Sequence, residues 1–195
     1  MNMQFVTTQN KQSNNNITMM RINSFVRNTQ STQIAQPEPS KPAENKMTWG
    51  EPTWFLLHTL AEKVKDSYFN QIRIDLLNTI YSICSNLPCP MCAEHAIDYL
   101  KTSNFFKIAT KNDLKIFLCI FHNAVNKKKN FPIFDINLLN DKYAAAATKP
   151  IIYNFLHHFQ KRSKNLKMLA NDMYRMRVVN GIKQWFSKNI IYFDD

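Results

Sequence analysis

From Met47 onward the chain alternates apolar and polar positions at three- and four-residue steps. Trp54, Leu57, His58, Ala61 and Val64 fall on one face, which predicts a helix beginning near Pro52-Thr53. Ile72, Leu76, Ile80 and Ile83 repeat the pattern over residues 69–86, and Leu87-Pro88 ends it. A third helix opens at Cys89-Pro90 and continues through Ala96, Ile97 and Leu100. The Thr110–Asp113 cluster supplies caps for a fourth, which carries Leu114, Phe117, Leu118, Phe121 and Val125. Four helices of about 12–18 residues with short connections predict an all-α fold, a bundle. After Asn137 two further helical stretches are expected, at about 151–168 and 169–187. The apolar stripe Leu166, Leu169, Met173 and Met176 there suits a second packing surface, a dimer contact or a docking site. The first 46 residues bury too little apolar surface to offset their ordering entropy. The expected organisation is therefore a disordered polar tail (1–46), a helical-bundle domain (47–136) and a separate basic helical extension (137–195). No apolar run approaches the ~20 residues of a membrane span, and no internal repeat is visible.

Composition narrows the function classes. The chain has 195 residues, of which only two are glycine. That argues against a nucleotide fold built on Gly-rich loops, which need backbone free to take positive φ beside phosphates. The formal charge is +11, and residues 137–195 hold ten Lys/Arg against four Asp/Glu. The surplus thus lies away from the cysteines. It reads as a solvated face, so nucleic acid is not expected as a partner. The N-terminal tail has no continuous apolar signal region; Arg21 and Arg27 in an acid-poor stretch give it only a slight likeness to a mitochondrial presequence.

The candidate chemistry sits in the cysteines. There are four (Cys84, Cys89, Cys92 and Cys119), too few for a secreted disulfide scaffold. Pro88 stops one helix and Pro90 starts the next, so Cys89 belongs near an N-cap and Cys92 about one turn on. Two thiols three residues apart can close a small disulfide ring, and the positive helix end is expected to lower their pKa. Two buried, inert thiols are the plain alternative. Zinc is another, because Cys89, Cys92 and His95 form a C-x2-C-x2-H run to which His122 or Cys84 could add a ligand. Structural zinc usually pairs two ligand clusters, and the second is poor here, so no metal is assigned. A thioredoxin-like reductase is a weaker fit, since no alternating strand pattern precedes Cys89.

Three segments taken in order resemble the Erv/ALR family of FAD-linked sulfhydryl oxidases. They are Trp49-Gly50-Glu51-Pro52-Thr53-Trp54-Phe55-Leu56-Leu57-His58, Leu87-Pro88-Cys89-Pro90-Met91-Cys92-Ala93-Glu94-His95-Ala96, and Cys119-Ile120-Phe121-His122-Asn123-Ala124-Val125-Asn126-Lys127-Lys128. The second is similar to the forms carried by large cytoplasmic DNA viruses. The resemblance implies a four- to five-helix bundle binding FAD, commonly as a homodimer. It also implies that Cys92 lies beside the flavin ring, with Cys89 the more exposed thiol that exchanges with substrate. Gly50, Trp54, His58, His95, His122, Asn123, Asn126 and Lys128 would line the cofactor. The spacing suits those roles, since Trp54 and His58, like His122 and Asn126, are four apart and share a helix face.

Departures from the family pattern carry their own expectations. Glu51 stands where many relatives have Arg. Cys119 matches the first cysteine of a structural pair, but its partner position is Ile136, so a free buried thiol is expected. Cys84 reads as a small core residue. Neither tail holds a cysteine, so the implied substrate is a separate dithiol protein, a small redox protein with its own CxxC, with oxygen as electron acceptor and hydrogen peroxide as product. The viral flavour of the motifs implies host cytoplasm or virion, with the mitochondrial intermembrane space as the alternative. A second functional class stays open: a non-catalytic basic scaffold that kept the bundle and docks an anionic surface through His157–Lys164.

Overall fold

The computed structural model describes residues 47–161 and 169–195. The polar tail expected over 1–46 lies outside them, as do Arg162, Ser163 and Lys164 of the basic segment and Leu166 of the apolar stripe. Among the described residues there are seven α-helices and no strand: α1 (Gly50–Lys63), α2 (Asp66–Ser85), α3 (Pro90–Thr102), α4 (Lys111–Lys128), α5 (Leu139–Ala144), α6 (Thr148–Phe159) and α7 (Leu169–Asn189).

Local chemistry sets the boundaries. Pro52 lies in the first turn of α1, where no intrahelical N–H is needed, and Thr53 Oγ1 donates to Trp49 O at 2.7 Å. Glu51 in that first turn and Lys63 in the last both complement the helix dipole. Thr110 and Asp113 form a reciprocal capping box on α4, each side chain accepting from the other's backbone N–H at 3.1 Å. The structure starts α2 three residues before the sequence expectation. It ends α6 at Phe159, whereas the periodic pattern ran to Met168. The short α5 was not anticipated; at six residues it holds too few periodic positions to register.

α1 is the centre of the arrangement and packs against α4, α5 and α6, while α2 packs against α3 and α7. Leu56, Leu57, Leu60 and Ala61 of α1 are almost fully buried. They share one core with Leu76, Leu77, Ile80 and Ile83 of α2, Leu114 and Leu118 of α4, and Phe155 and Phe159 of α6. Val179, Ile182 and Phe186 of α7 complete it. The hydrophobic core therefore crosses Asn137, where the sequence drew a boundary. The chain end is tied in as well: Lys65 N–H donates to Tyr192 O at 2.9 Å and Asp194 N–H to Lys63 O at 2.7 Å.

The stripe offered as a second packing surface is not the face that α7 turns to this core. Met173 is exposed and Met176 half-buried, while Asp172, Arg175, Val179, Ile182 and Phe186 turn inward. The reason is polar. Arg175 pairs with Asp172 at 2.6 Å and donates to Phe159 O at 3.1 Å and Lys161 O at 3.0 Å. It thereby satisfies carbonyls that the end of α6 leaves without helical partners. An ion pair this well hydrogen-bonded can be buried, and it fixes the rotation of α7 about its axis.

If one core serves every helix except α5, Phe155→Ala should lower the stability of the whole unit by about 3–5 kcal/mol. Denaturant unfolding followed by both circular dichroism and tryptophan fluorescence should show a single shifted transition. Two separated transitions would contradict the shared core.

Candidate functional site

The sequence fixes the dithiol at a helix start. Cys89 is the N-cap of α3 and Pro90 its first residue; Cys89 Sγ accepts from the Cys92 N–H at 3.3 Å. Both cysteines are half-buried and free, and Met91 between them is 68% exposed, so the pair lies at the protein surface. Burial, the hydrogen bond to Cys89 and the proximity of that second sulfur together push the Cys92 thiol up to about 11, with Lys129 acting in the opposite sense. For Cys92 this corrects the expectation that the helix end lowers the pKa. The amide that expresses the helix dipole here is spent on Cys89 Sγ, while Cys92 meets desolvation. The influence of Lys129 also places the C-terminal end of α4 beside the dithiol.

A continuous set of rings leads from α3 into the centre of the bundle. Tyr99 of α3 stacks on Phe121 of α4, with centroids 4.5 Å apart and 14° between planes. Phe121 meets Trp54 of α1 edge-on at 5.1 Å, and Trp54 lies parallel to His122 at 4.1 Å and 7°. His122 Nδ1 and His58 Nε2 are 3.1 Å apart, and His58 stacks on Tyr143 of α5 at 4.8 Å. The structure thus brings Trp54, His58 and His122 together. Tyr143, Tyr99 and Lys129 were missed. No local spacing relates Tyr143 to His58, because the contact exists only once α5 folds back over α1.

Both histidines are held neutral. Burial, then the neighbouring His122 and Lys142, lower His58 to about 3; burial and Lys142 lower His122 to about 4. Two neutral imidazoles sharing one hydrogen bond must take complementary tautomers, one ring donating and the other accepting.

The remaining residues fall into two groups. Asn123 uses its amide on the chain itself: Oδ1 accepts from Phe134 N–H and Nδ2 donates to Phe134 O, both at 2.9 Å. Asn126 Nδ2 donates to Pro132 O at 3.2 Å. Together they pin the loop after α4. Gly50 is half-buried with open space where a Cβ would stand, so its own chain imposes no need for glycine there. His95 and Lys128 are exposed. Cys84 lies in the main core, where burial pushes its thiol up to about 12. Cys119 is buried against Leu139 and Tyr143 as a free thiol. Among the described residues no three His, Cys, Asp or Glu side chains gather as a metal-holding group, and no helix is long and apolar enough to cross a membrane.

Comparisons with known proteins bear on this arrangement. The Erv1/Alr family profile matches residues 51–144, which covers the dithiol and the ring cluster. An FAD-linked sulfhydryl oxidase of African swine fever virus is 30% identical over 105 residues, covering 54% of this chain and 87% of the viral protein. A protein of Invertebrate iridescent virus 3, named as an FAD-linked sulfhydryl oxidase candidate, is 32% identical over 111 residues, 52% of this chain and 75% of that one. The rice FAD-linked sulfhydryl oxidase ERV1 is 34% identical over 94 residues, and the chain spans only 48% of its length.

Because His58 and His122 titrate lower in the fold than in an unfolded chain, their contribution to stability is complete above pH 6.5 and is lost as pH falls toward 4 and 3. Urea unfolding between pH 7 and 4 should show stability falling with a slope approaching ~1.4 kcal/mol per pH unit for each histidine. In His58→Phe the loss should be shallower. An unchanged slope would show that these rings are not held neutral.

Proposed function

The chain belongs to the Erv1/Alr family, and on that premise we propose that it is an FAD-dependent thiol oxidase that forms disulfide bonds in a partner protein through Cys89 and Cys92. The observation that carries the reading is the capped dithiol: Cys89 at the mouth of α3, with Cys92 on the next turn, beside the end of the helix that bears His122.

The residues fit a flavin dinucleotide. Trp54 and His122 offer parallel, half-buried rings on which a flat heterocycle can lie. His58, hydrogen-bonded to His122, fixes the direction in which that imidazole presents its donor or acceptor. Gly50 leaves space that a side chain would fill. Lys128 stands with Lys127 and Lys129 at the exposed end of α4, suited to pyrophosphate charge. Asn126 would turn its side-chain Oδ1 to the cofactor, and His95 would reach it from α3. Asn123 acts by positioning the 131–134 loop, since its amide is already engaged.

In the exchange step a substrate thiolate attacks Cys89 Sγ of the oxidised pair. The Cys89–Cys92 bond breaks, a mixed disulfide to Cys89 forms, and the electron pair leaves on Cys92, which takes up a proton. Lys129 is placed to hold that departing thiolate. The second substrate thiolate then attacks the mixed disulfide and releases Cys89, so the substrate has lost two electrons and two protons to the pair. Bound flavin supplies the two-electron acceptor that regenerates the disulfide, with oxygen as the final acceptor and hydrogen peroxide as product. The substrate is a small redox protein with its own CxxC, and the enzyme acts as a homodimer. Its viral relatives support the host cytoplasm or the virion as its location.

The purified protein should be yellow. Cys89→Ser and Cys92→Ser should each abolish oxidation of a protein dithiol, followed by oxygen uptake, while the visible flavin absorbance is retained. Turnover surviving in either variant would remove the roles assigned here, and a colourless preparation would favour the non-catalytic scaffold.

A further inference from the structure

On α7, residues beyond the family match complete one wall of a space next to the exchange cysteine. A cleft of about 360 Å³ lies between the start of α3 and the first turns of α7. Pro88 and Pro90, the two neighbours of Cys89, form part of its lining, so it opens at the shoulder of that thiol. Its α3 wall carries Ile97 together with Glu94 and Asp98, four residues apart on one exposed face. Neither carboxylate has an ion pair among the described residues. In a chain of formal charge +11 this is a local inversion of sign. The α7 wall carries Tyr174, whose ring is 60% exposed. Arg175 also borders the cleft, but its charge is matched by Asp172 and the carbonyls of Phe159 and Lys161, so it holds the wall in place and does not cancel the acids.

We propose that this cleft is the docking groove for the substrate protein, and that its occupant is an extended cysteine-bearing segment with a lysine or arginine close to the cysteine. The inference rests on the thiol-oxidase reading above. The substrate's apolar neighbour lies over Pro88, Pro90 and Ile97 beneath the Tyr174 ring, and its cation reaches Glu94 and Asp98. Charge complementarity selects the partner: an acidic wall repels acidic segments and speeds encounter with basic ones. The proline floor offers no N–H for strand pairing, so recognition falls to side chains. α7 thus has a function in choosing the substrate, separate from the chemistry of the dithiol.

The test uses the full-length flavin-loaded protein and three probes: a synthetic Cys-x-x-Cys dithiol peptide flanked by lysines, the same peptide flanked by glutamates, and dithiothreitol. The lysine peptide should be oxidised with a kcat/KM about tenfold higher than the glutamate peptide. The double variant Glu94→Gln with Asp98→Asn should level the two peptides, and Tyr174→Ala should raise KM for both with kcat retained. Dithiothreitol oxidation should stay at the wild-type rate throughout, which separates docking from damage to the site. Equal oxidation of the two peptides by the wild type, with dithiothreitol still turned over, overturns the groove. A wild-type protein that oxidises none of the three overturns the thiol-oxidase reading on which it stands.

Discussion

The burial of α1 is the constraint on which the rest depends. Its inner face, Leu56, Leu57, Leu60 and Ala61, has essentially no exposure, and three other helices close over it. The same helix carries Gly50, Trp54 and His58, so the core that immobilises α1 also fixes the rings from which the site is made. A side chain projecting from a packed helix is held more closely than one on a loop, and Trp54 can lie within 7° of the His122 plane only because both of their helices are locked.

Polar groups make the second set of decisions. Asn123 and Asn126 fold the 131–134 segment back on α4. α5 follows that loop and brings Tyr143 against His58 and Lys142 near both histidines. Burial is the main reason the imidazole pair stays neutral, and Lys142, brought in as the chain returns after α4, adds to it. Arg175 and Asp172 play the matching part at the other end, joining α7 to the last turn of α6 and setting which face of α7 looks outward beside Cys89. The asparagines reach 6 to 11 residues along the chain, and Arg175 reaches carbonyls 14 and 16 residues back. Such contacts add modest stability, yet they decide orientation, because a wrong rotation would strand a charged or amide group without a partner.

The dithiol shows a division of labour between two neighbouring sulfurs. Cys89, as N-cap, receives the amide that a helix start leaves unused. Cys92, one turn on, meets burial and the first sulfur, so its proton is held more tightly. Both sulfurs are half-buried, and Cys92 feels the charge of Lys129 at the end of α4.

Much of this was legible in the chain itself. The helices α1 to α4, the prolines that bracket Cys89 and the Thr110 cap follow from local periodicity and local hydrogen bonding, which act over a few residues and leave their mark in sequence. Trp54 with His58 and His122 with Asn126 could be assigned to shared faces for the same reason. The tertiary structure alone decided that Tyr143 and Lys142 reach the histidines and that the core runs through Asn137 into α6 and α7. It also decided that α7 buries Asp172 and Arg175 while Met173 faces solvent, and that the Cys92 proton is held against the helix dipole. Apolar periodicity marks the methionine stripe on α7, but a carbonyl 14 or 16 residues back in the chain has no signature in that pattern. Burial and long-range pairing depend on which segments meet, and that is set by the packing of the whole chain.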